Sequence, residues 1–231
     1  MKINVTKANI ANYIDHTDVK PDATESDIQK ICNEAREYKF HSVCVTPTRV
    51  KDASNYLGIN SKVEIICVIG FPFGVQKTDE KILEAKNAKI DGATEFDMII
   101  NIGKVKEGDW DFVENEISKI AESIKPNGLK VIMEIGFLTE KELIKACKIA
   151  VQSGAKFVKT STGYGPRVPT PDDIKIMRQA VGPDYGVKAS GGIHDFETAK
   201  KMIEAGADRI GTSSSLQIIG VEKPTDKKEK E

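Results

Sequence analysis

The chain has 231 residues, 39% hydrophobic and 30% charged, which suits one large α/β domain or two small ones and excludes a disordered chain. With 34 basic and 35 acidic residues the net charge is −1, which excludes the broad basic face that nucleic acid requires. No run approaches the roughly 20 apolar residues of a membrane span, and the opening "MKINVTKANIANYIDHT" has no apolar signal-peptide core, so a cytoplasmic protein without a membrane partner is expected.

Short β-branched runs alternate with amphipathic stretches along the chain. Strands are predicted at "YIDHT" (13–17), "SVCVT" (42–46), "VEIICVIG" (63–70) and "ATEFDMII" (93–100). Four more follow at "LKVIMEIG" (129–136), "KFVKTS" (156–161), "YGVKAS" (185–190) and "ADRIGTS" (207–213). Few alternate cleanly with polar residues, the pattern of parallel strands covered on both faces. Between them, Thr139 and Glu142 have capping-box spacing, and Leu143, Ala146, Cys147 and Ala150 repeat at helical intervals before Gly154. Thr170, Pro171 and Asp173 mark another helix start. Phe196, Ala199, Met202 and Ile203 form the apolar stripe of a helix stopped by Gly206. Cys32, Cys44, Cys67 and Cys147 lie far apart in apolar segments and read as reduced core residues.

Eight strand-then-helix units fit a single-domain (β/α)8 TIM barrel over residues 1–220, with a charged, frayed tail at 221–231. A doubly wound open sheet is the competing layout, but no GxGxxG fingerprint follows any strand. In a barrel the active site lies at the carboxyl ends of the strands. Asp15, Cys44, Asp97, Glu134, Lys159 and Lys188 all fall near such ends.

Lys159 and Lys188 sit on adjacent predicted strands, each ahead of a glycine turn. Two ammonium groups about 5 Å apart at an effective dielectric near 20 repel by roughly 3 kcal/mol, which favours a neutral amine on one of them. A neutral amine is the form that attacks a carbonyl to give a Schiff base. Spacing alone leaves open which lysine is the nucleophile, and a single such lysine could simply snorkel from the rim to water. Asp97, set among bulky apolar residues, can balance the ammoniums and move protons, or serve as a structural ion pair. Asp15 has turn capping as its plain alternative. His16, His41 and His194 show no ligand or triad spacing, and no metal site is expected. Gly191 and Gly192 after the seventh strand, with Ser213 and Ser214 after the eighth, suit an anion cradle; tight turns and a helix cap are the plain alternative. A sensor that merely bound a sugar phosphate would need the cradle but not the lysine pair.

These segments, in order from about residue 12 to 216, resemble the deoxyribose-phosphate aldolases, with "FVKTSTGYG" and "VKASGGI" the most specific. The resemblance implies a metal-free class I aldolase, without cofactor, that reversibly cleaves 2-deoxy-D-ribose 5-phosphate to D-glyceraldehyde 3-phosphate and acetaldehyde. Its partners would be a small phosphorylated sugar and short aldehydes, and the enzyme a homodimer or homotetramer. By motif, Lys159 is the Schiff-base residue, Lys188 lowers its neighbour's pKa, and Asp97 transfers protons. Asp15, Thr17, Cys44 and Thr160 match pocket positions; Gly163, Gly191, Gly192, Ser213 and Ser214 match the phosphate end. Two departures stand out. Tyr164 and Arg167 occupy a loop where some relatives carry a lysine, and the tail lacks the tyrosine some relatives use in proton transfer.

Overall fold

The computed structural model describes residues 5–221, so all but the first residue of the expected frayed tail lies outside the described residues. Eight strands run β1 (Ile14–Asp18), β2 (Ser42–Val45), β3 (Glu64–Ile69), β4 (Glu95–Ile99), β5 (Gly128–Ile132), β6 (Phe157–Lys159), β7 (Gly186–Ser190) and β8 (Arg209–Thr212). They pair in parallel in sequence order, and β8 closes on β1. Helices α1 (Glu25–Tyr38), α2 (Val50–Leu57), α3 (Thr78–Asp91), α4 (Ile102–Glu107) and α5 (Trp110–Ile124) cover the first half. Covering the second half are α6 (Glu140–Gln152), α7 (Pro171–Val181), α8 (Phe196–Glu204) and α9 (Ser215–Ile219). The chain is a (β/α)8 barrel.

Helix starts follow the side-chain chemistry read from the sequence. At α6, Thr139 Oγ1 accepts from Glu142 N at 3.3 Å, and Glu142 Oε2 accepts from Thr139 N at 2.7 Å. Thr170 and Asp173 make the same reciprocal box at α7, with Pro171 in the first turn. Each such cap is worth about 1 kcal/mol. Gly154 and Gly206, just beyond α6 and α8, take positive φ.

Strand alternation divides the barrel into two unlike interiors. On β4, Phe96 and Met98 join the apolar core between strands and helices, while Glu95 and Asp97 face the lumen and its lysines. In the lumen, Cys44, Ile66 and Val68 form a separate small apolar cluster. Charged side chains, Asp15, Asp97, Lys130, Lys159 and Lys188 among them, are also buried there. All four cysteines are free and buried.

Two predicted strands, 129–136 and 156–161, run more than one residue too far at the carboxyl end. After Ile132 the chain leaves the ladder, and Glu134 adopts a left-handed φ of 50°. Met133 and Ile135 stay buried there, which is why their apolarity reads as strand. Likewise Thr160 and Ser161 are buried just beyond the end of β6.

Candidate active site

Lys159 ends β6 and pairs in register with Lys188 on β7, so both side chains point to the same side of the sheet. Asp97 lies across the lumen between them. Its Oδ2 accepts from Lys159 Nζ and from Lys188 Nζ, each at 2.9 Å. Lys130, on β5 beside Asp97, brings its Nζ to 3.3 Å from Oδ1 and donates to Glu95 Oε2 at 2.7 Å. Lys188 Nζ is also 2.6 Å from Asp15 Oδ2, while Asp15 Oδ1 accepts from Ser42 Oγ at 2.8 Å and from Arg209 Nη1 at 3.3 Å. The Lys130–Asp97 and Lys188–Asp15 contacts are close ion pairs that lack hydrogen-bond direction, for those two carboxylate oxygens have no hydrogen-bond partner.

The network settles which groups carry charge. Burial pushes the Asp97 carboxyl up, but Lys159, Lys188 and Lys130 together outweigh it and hold the group well below the usual carboxylate range. Asp15 is lowered in the same way: burial opposes, and Lys188, Lys130 and Arg209 prevail. For Lys188 burial favours the neutral amine, yet Asp15 and Asp97 raise it well above an ordinary lysine. In the resting site at neutral pH, Lys188 is therefore a cation and Asp97 an anion. The bare repulsion between two ammoniums expected from the sequence is replaced by a carboxylate oxygen shared between them.

A cavity of about 400 Å³ opens above this cluster at the carboxyl ends of the strands. Lys159 lines it and Lys188 does not; their side chains are 5% and 0% exposed. That difference distinguishes the two lysines where spacing does not. Thr17 and Cys44 form one wall with Val68 and Phe71, and Gly163, Gly191, Gly192 and Ser213 line the other side. Asp15, Asp97 and Lys188 lie beneath the floor and act on the cavity through Lys159 and its neighbours. Thr160 is fully buried, and its Oγ1 donates to Ser190 O and accepts from Ser190 N, both at 2.9 Å. It ties the end of β6 to β7 and does not line the cavity. Ser214 is turned to His194, Oγ to Nδ1 at 3.0 Å, while His194 itself reaches the lining.

Glycines clear the way at two critical points. A Cβ on Gly211 would sit 2.9 Å from Lys188 Cε, so β8 must be bare where that side chain crosses. Gly192, at φ 69°, lies where a Cβ would be 2.5 Å from Val168 Cγ1.

Several contributors are legible only in three dimensions. Lys130 stands two residues into a buried run, the same signal that marks Lys188, but its carboxylate partners are 33 to 35 residues back in sequence, on β4. Glu134 is buried and accepts from both the backbone N–H (3.1 Å) and the hydroxyl of Thr162, which fixes the start of the loop carrying Gly163 and Tyr164. A Cβ on Gly165 would collide with the same carboxyl. Tyr164 lines the cavity and meets Phe71 edge-on, with ring centroids 5.6 Å apart. Arg167 turns away from the lining and grips Asp173 through two 2.8 Å bonds. Among the described residues no group of three or more His, Cys, Asp or Glu side chains is placed to hold a metal ion, and no helix is long and apolar enough to cross a membrane.

Known proteins resemble this chain over most of its length. The DeoC/LacD family aldolase profile matches residues 9–220. A deoxyribose-phosphate aldolase of Thermococcus kodakarensis is 51% identical over 218 residues, covering 93% of this chain and 97% of that one. Another, from Thermococcus gammatolerans, is 51% identical over 214 residues, covering 91% and 95%. Among solved structures, a tetrameric deoxyribose phosphate aldolase from Aeropyrum pernix superposes with a TM-score of 0.85 at 32% identity, covering 93% of this chain and 91% of that one. The family expected from the lysine motifs is the one found: this chain belongs to the DeoC/LacD family of aldolases.

Proposed function

We propose that the protein is a class I deoxyribose-phosphate aldolase, reversibly cleaving 2-deoxy-D-ribose 5-phosphate to D-glyceraldehyde 3-phosphate and acetaldehyde through a Schiff base on Lys159. The observation that carries this is Lys159 at the cavity floor, with its Nζ on an ionised carboxylate and the Lys188 cation behind it. Its Asp97 partner accepts a proton from the ammonium at 2.9 Å, and the freed amine attacks the C1 aldehyde of the open-chain sugar. Loss of water gives an iminium. Removal of the proton from the C3 hydroxyl then drives the C2–C3 electrons into the iminium, because acetaldehyde retains C1 and C2. Glyceraldehyde 3-phosphate leaves, the enamine takes a proton at C2, and water hydrolyses the resulting imine.

Asp97 touches Nζ but does not line the cavity, so protons on the substrate's own oxygens reach it through a water. Lys188, pinned between Asp15 and Asp97, keeps its charge throughout and opposes reprotonation of its neighbour. The phosphoryl group lies against Gly191, Gly192 and Ser213, where backbone N–H groups of left-handed glycines can approach an anion closely. On this reading the enzyme works in the cytoplasm as a homodimer or homotetramer, a subunit number that light scattering measures.

Borohydride reduction in the presence of acetaldehyde tests the assignment. A two-carbon adduct on the peptide containing Lys159 is expected; an adduct confined to Lys188, or none, would overturn it.

A further inference from the structure

Behind the phosphate end, three side chains outside the lysine cluster form an unbroken hydrogen-bonded line. His16 follows the lumen-facing Asp15, so the two-residue period of β1 turns its ring outward to the helices. There Nε2 lies 2.7 Å from Glu34 Oε2 on α1, and Nδ1 lies 2.8 Å from Ser215 Oγ at the start of α9. Phe40 packs beside the ring at 5.1 Å between centroids. Serine, histidine and glutamate in this order make the contacts of a hydrolase triad. Ser215 is fully buried, however, and is not among the residues lining the cavity. A nucleophile must reach its substrate, so the line has a different use.

We propose that His16, anchored by Glu34, is a positioning residue for the β8–α9 turn and thereby for the phosphate end of the pocket. The inference rests on the aldolase reading above. A carboxylate only accepts, so Nε2 donates to Glu34, while Nδ1 meets the Ser215 hydroxyl, whose oxygen also lies 3.4 Å from Thr212 O. His16 also pairs in register with Thr212, the last residue of β8. Thr212 Oγ1 donates to Ile193 O at 2.7 Å and accepts from Ser214 N at 2.9 Å. Ser213, which lines the cavity, is thus held on both sides: by Thr212 through Ser214, and by His16 through Ser215. The tether matters because α9 has only 5 residues, too few to hold a helical turn in place by itself. Without it the Ser213 N–H loses its fixed direction toward an anion.

The test compares kcat/KM for 2-deoxyribose 5-phosphate and for 2-deoxyribose, with acetaldehyde–borohydride labelling of Lys159 as a second readout. Ser215→Ala removes one oxygen and should lower the ratio of the two constants about two- to tenfold, the loss of one net hydrogen bond, mainly through KM of the phosphorylated sugar. Labelling of Lys159 should keep its wild-type rate, and Ser215→Thr, which keeps a hydroxyl, should keep the ratio. Glu34→Ala, at a partly exposed site, should move the ratio in the same direction and serves if Ser215→Ala does not fold. An unchanged ratio in both variants, or equal losses on the two sugars, overturns the positioning role. A wild-type protein that does not prefer the phosphorylated sugar would overturn the aldolase reading itself, an outcome visible before any mutation is made.

Discussion

The floor of the cavity is made of side chains on strands, and its far rim is made of backbone on turns. At the floor and just beneath it, Lys159, Lys188, Lys130 and Asp97 come from four strands, and the two ends of the Asp97–Lys188 bond are 91 residues apart. All are buried, and each carries its charge against an opposite one. At the rim, Gly163, Gly191 and Gly192 have positive φ and present main-chain groups to the opening. The contrast follows the two tasks. Making an imine needs charges fixed in a low dielectric, where they act strongly and do not reorient. Receiving a phosphate that arrives from water needs donors an anion can approach without displacing a side chain. Changes at the floor should therefore alter chemistry and stability together, whereas changes at the rim should alter selectivity alone.

The strongest test of that contrast is Asp97→Asn. Removing its charge leaves Lys159, Lys188 and Lys130 facing one another, and breaking a buried pair costs about 3–5 kcal/mol. Turnover should also fall about 10²–10⁴-fold, the usual contribution of a general acid or base. Denaturant unfolding and steady-state kinetics read the two losses separately, and near-wild-type turnover would remove Asp97 from the mechanism. The pH dependence carries a definite sign. Asp97 and Asp15 have folded pKa values below their unfolded ones, so their stabilisation is present above the unfolded value and is lost as pH falls through the folded one. Lys188 is raised, so its share is complete below its unfolded pKa and disappears as pH rises through the folded one. Stability should thus be flat through neutrality and fall at both extremes, and the acid limb should be shallower in Asp97→Asn.

Lys188→Met comes next in size. It deletes the cation but keeps the length of the side chain, and Asp15 is left with Arg209 as its remaining ion-pair partner. The rate of borohydride trapping at Lys159, followed across pH, should move to higher pH, since Asp97 then favours the ammonium form with less opposition. A profile that stays in place while activity drops would assign Lys188 to a later proton transfer.

Legibility in the sequence divides along the same line. The strands were readable because apolar runs lie between capping residues such as Thr139 with Glu142, a local pairing. Lys159 and Lys188 were readable because an ammonium in a buried run is anomalous wherever it occurs. Their common partner was not, because the bridge through Asp97 depends on barrel closure and register, which no spacing encodes. Lys130 in "LKVIM" carries the same anomaly, but it lies mid-strand, away from the carboxyl end where a barrel's chemistry is expected. At the rim, glycines marked the turns, but the left-handed Glu134 that fixes Thr162 has no glycine to announce it. The role of His16 depends on α1 and α9 each bringing one side chain to β1, which spacing does not suggest.

At the rim, Ser213→Asp should have a smaller and more selective effect. The side chain is exposed at the cavity edge, so an added carboxylate should be tolerated by the fold. It should repel the phosphoryl group while leaving Lys159 labelling by acetaldehyde unchanged. Expected is a fall in kcat/KM for the phosphorylated sugar of about ten- to a hundredfold, as a like-charge contact of about 1.4–2.8 kcal/mol would give, with 2-deoxyribose spared. Equal losses on both sugars would move the phosphate away from β8.

The smallest effect is expected at Arg167, although a cation near a proposed phosphate site would ordinarily be the first suspect. Its guanidinium makes two 2.8 Å bonds to Asp173, whose Oδ2 also accepts from Thr170 N and Thr170 Oγ1 at 2.8 Å. Both interactions belong to the first turn of α7, so Arg167 staples the β6–α7 loop to that helix. To bind phosphate it would have to leave a bidentate carboxylate, a strong contact with little left over for a second anion. Arg167→Ala should therefore leave the preference for phosphorylated sugar unchanged. Because the side chain is 43% exposed, the loss of stability should stay below about 1 kcal/mol, with the Thr170–Asp173 cap still in place. The measurement is again the ratio of kcat/KM for the two sugars, alongside a thermal melt. A collapse of that ratio would mean that a side chain, and not the glycine backbone, recognises the phosphate, and the division between floor and rim would have to be redrawn with Arg167 on the chemical side.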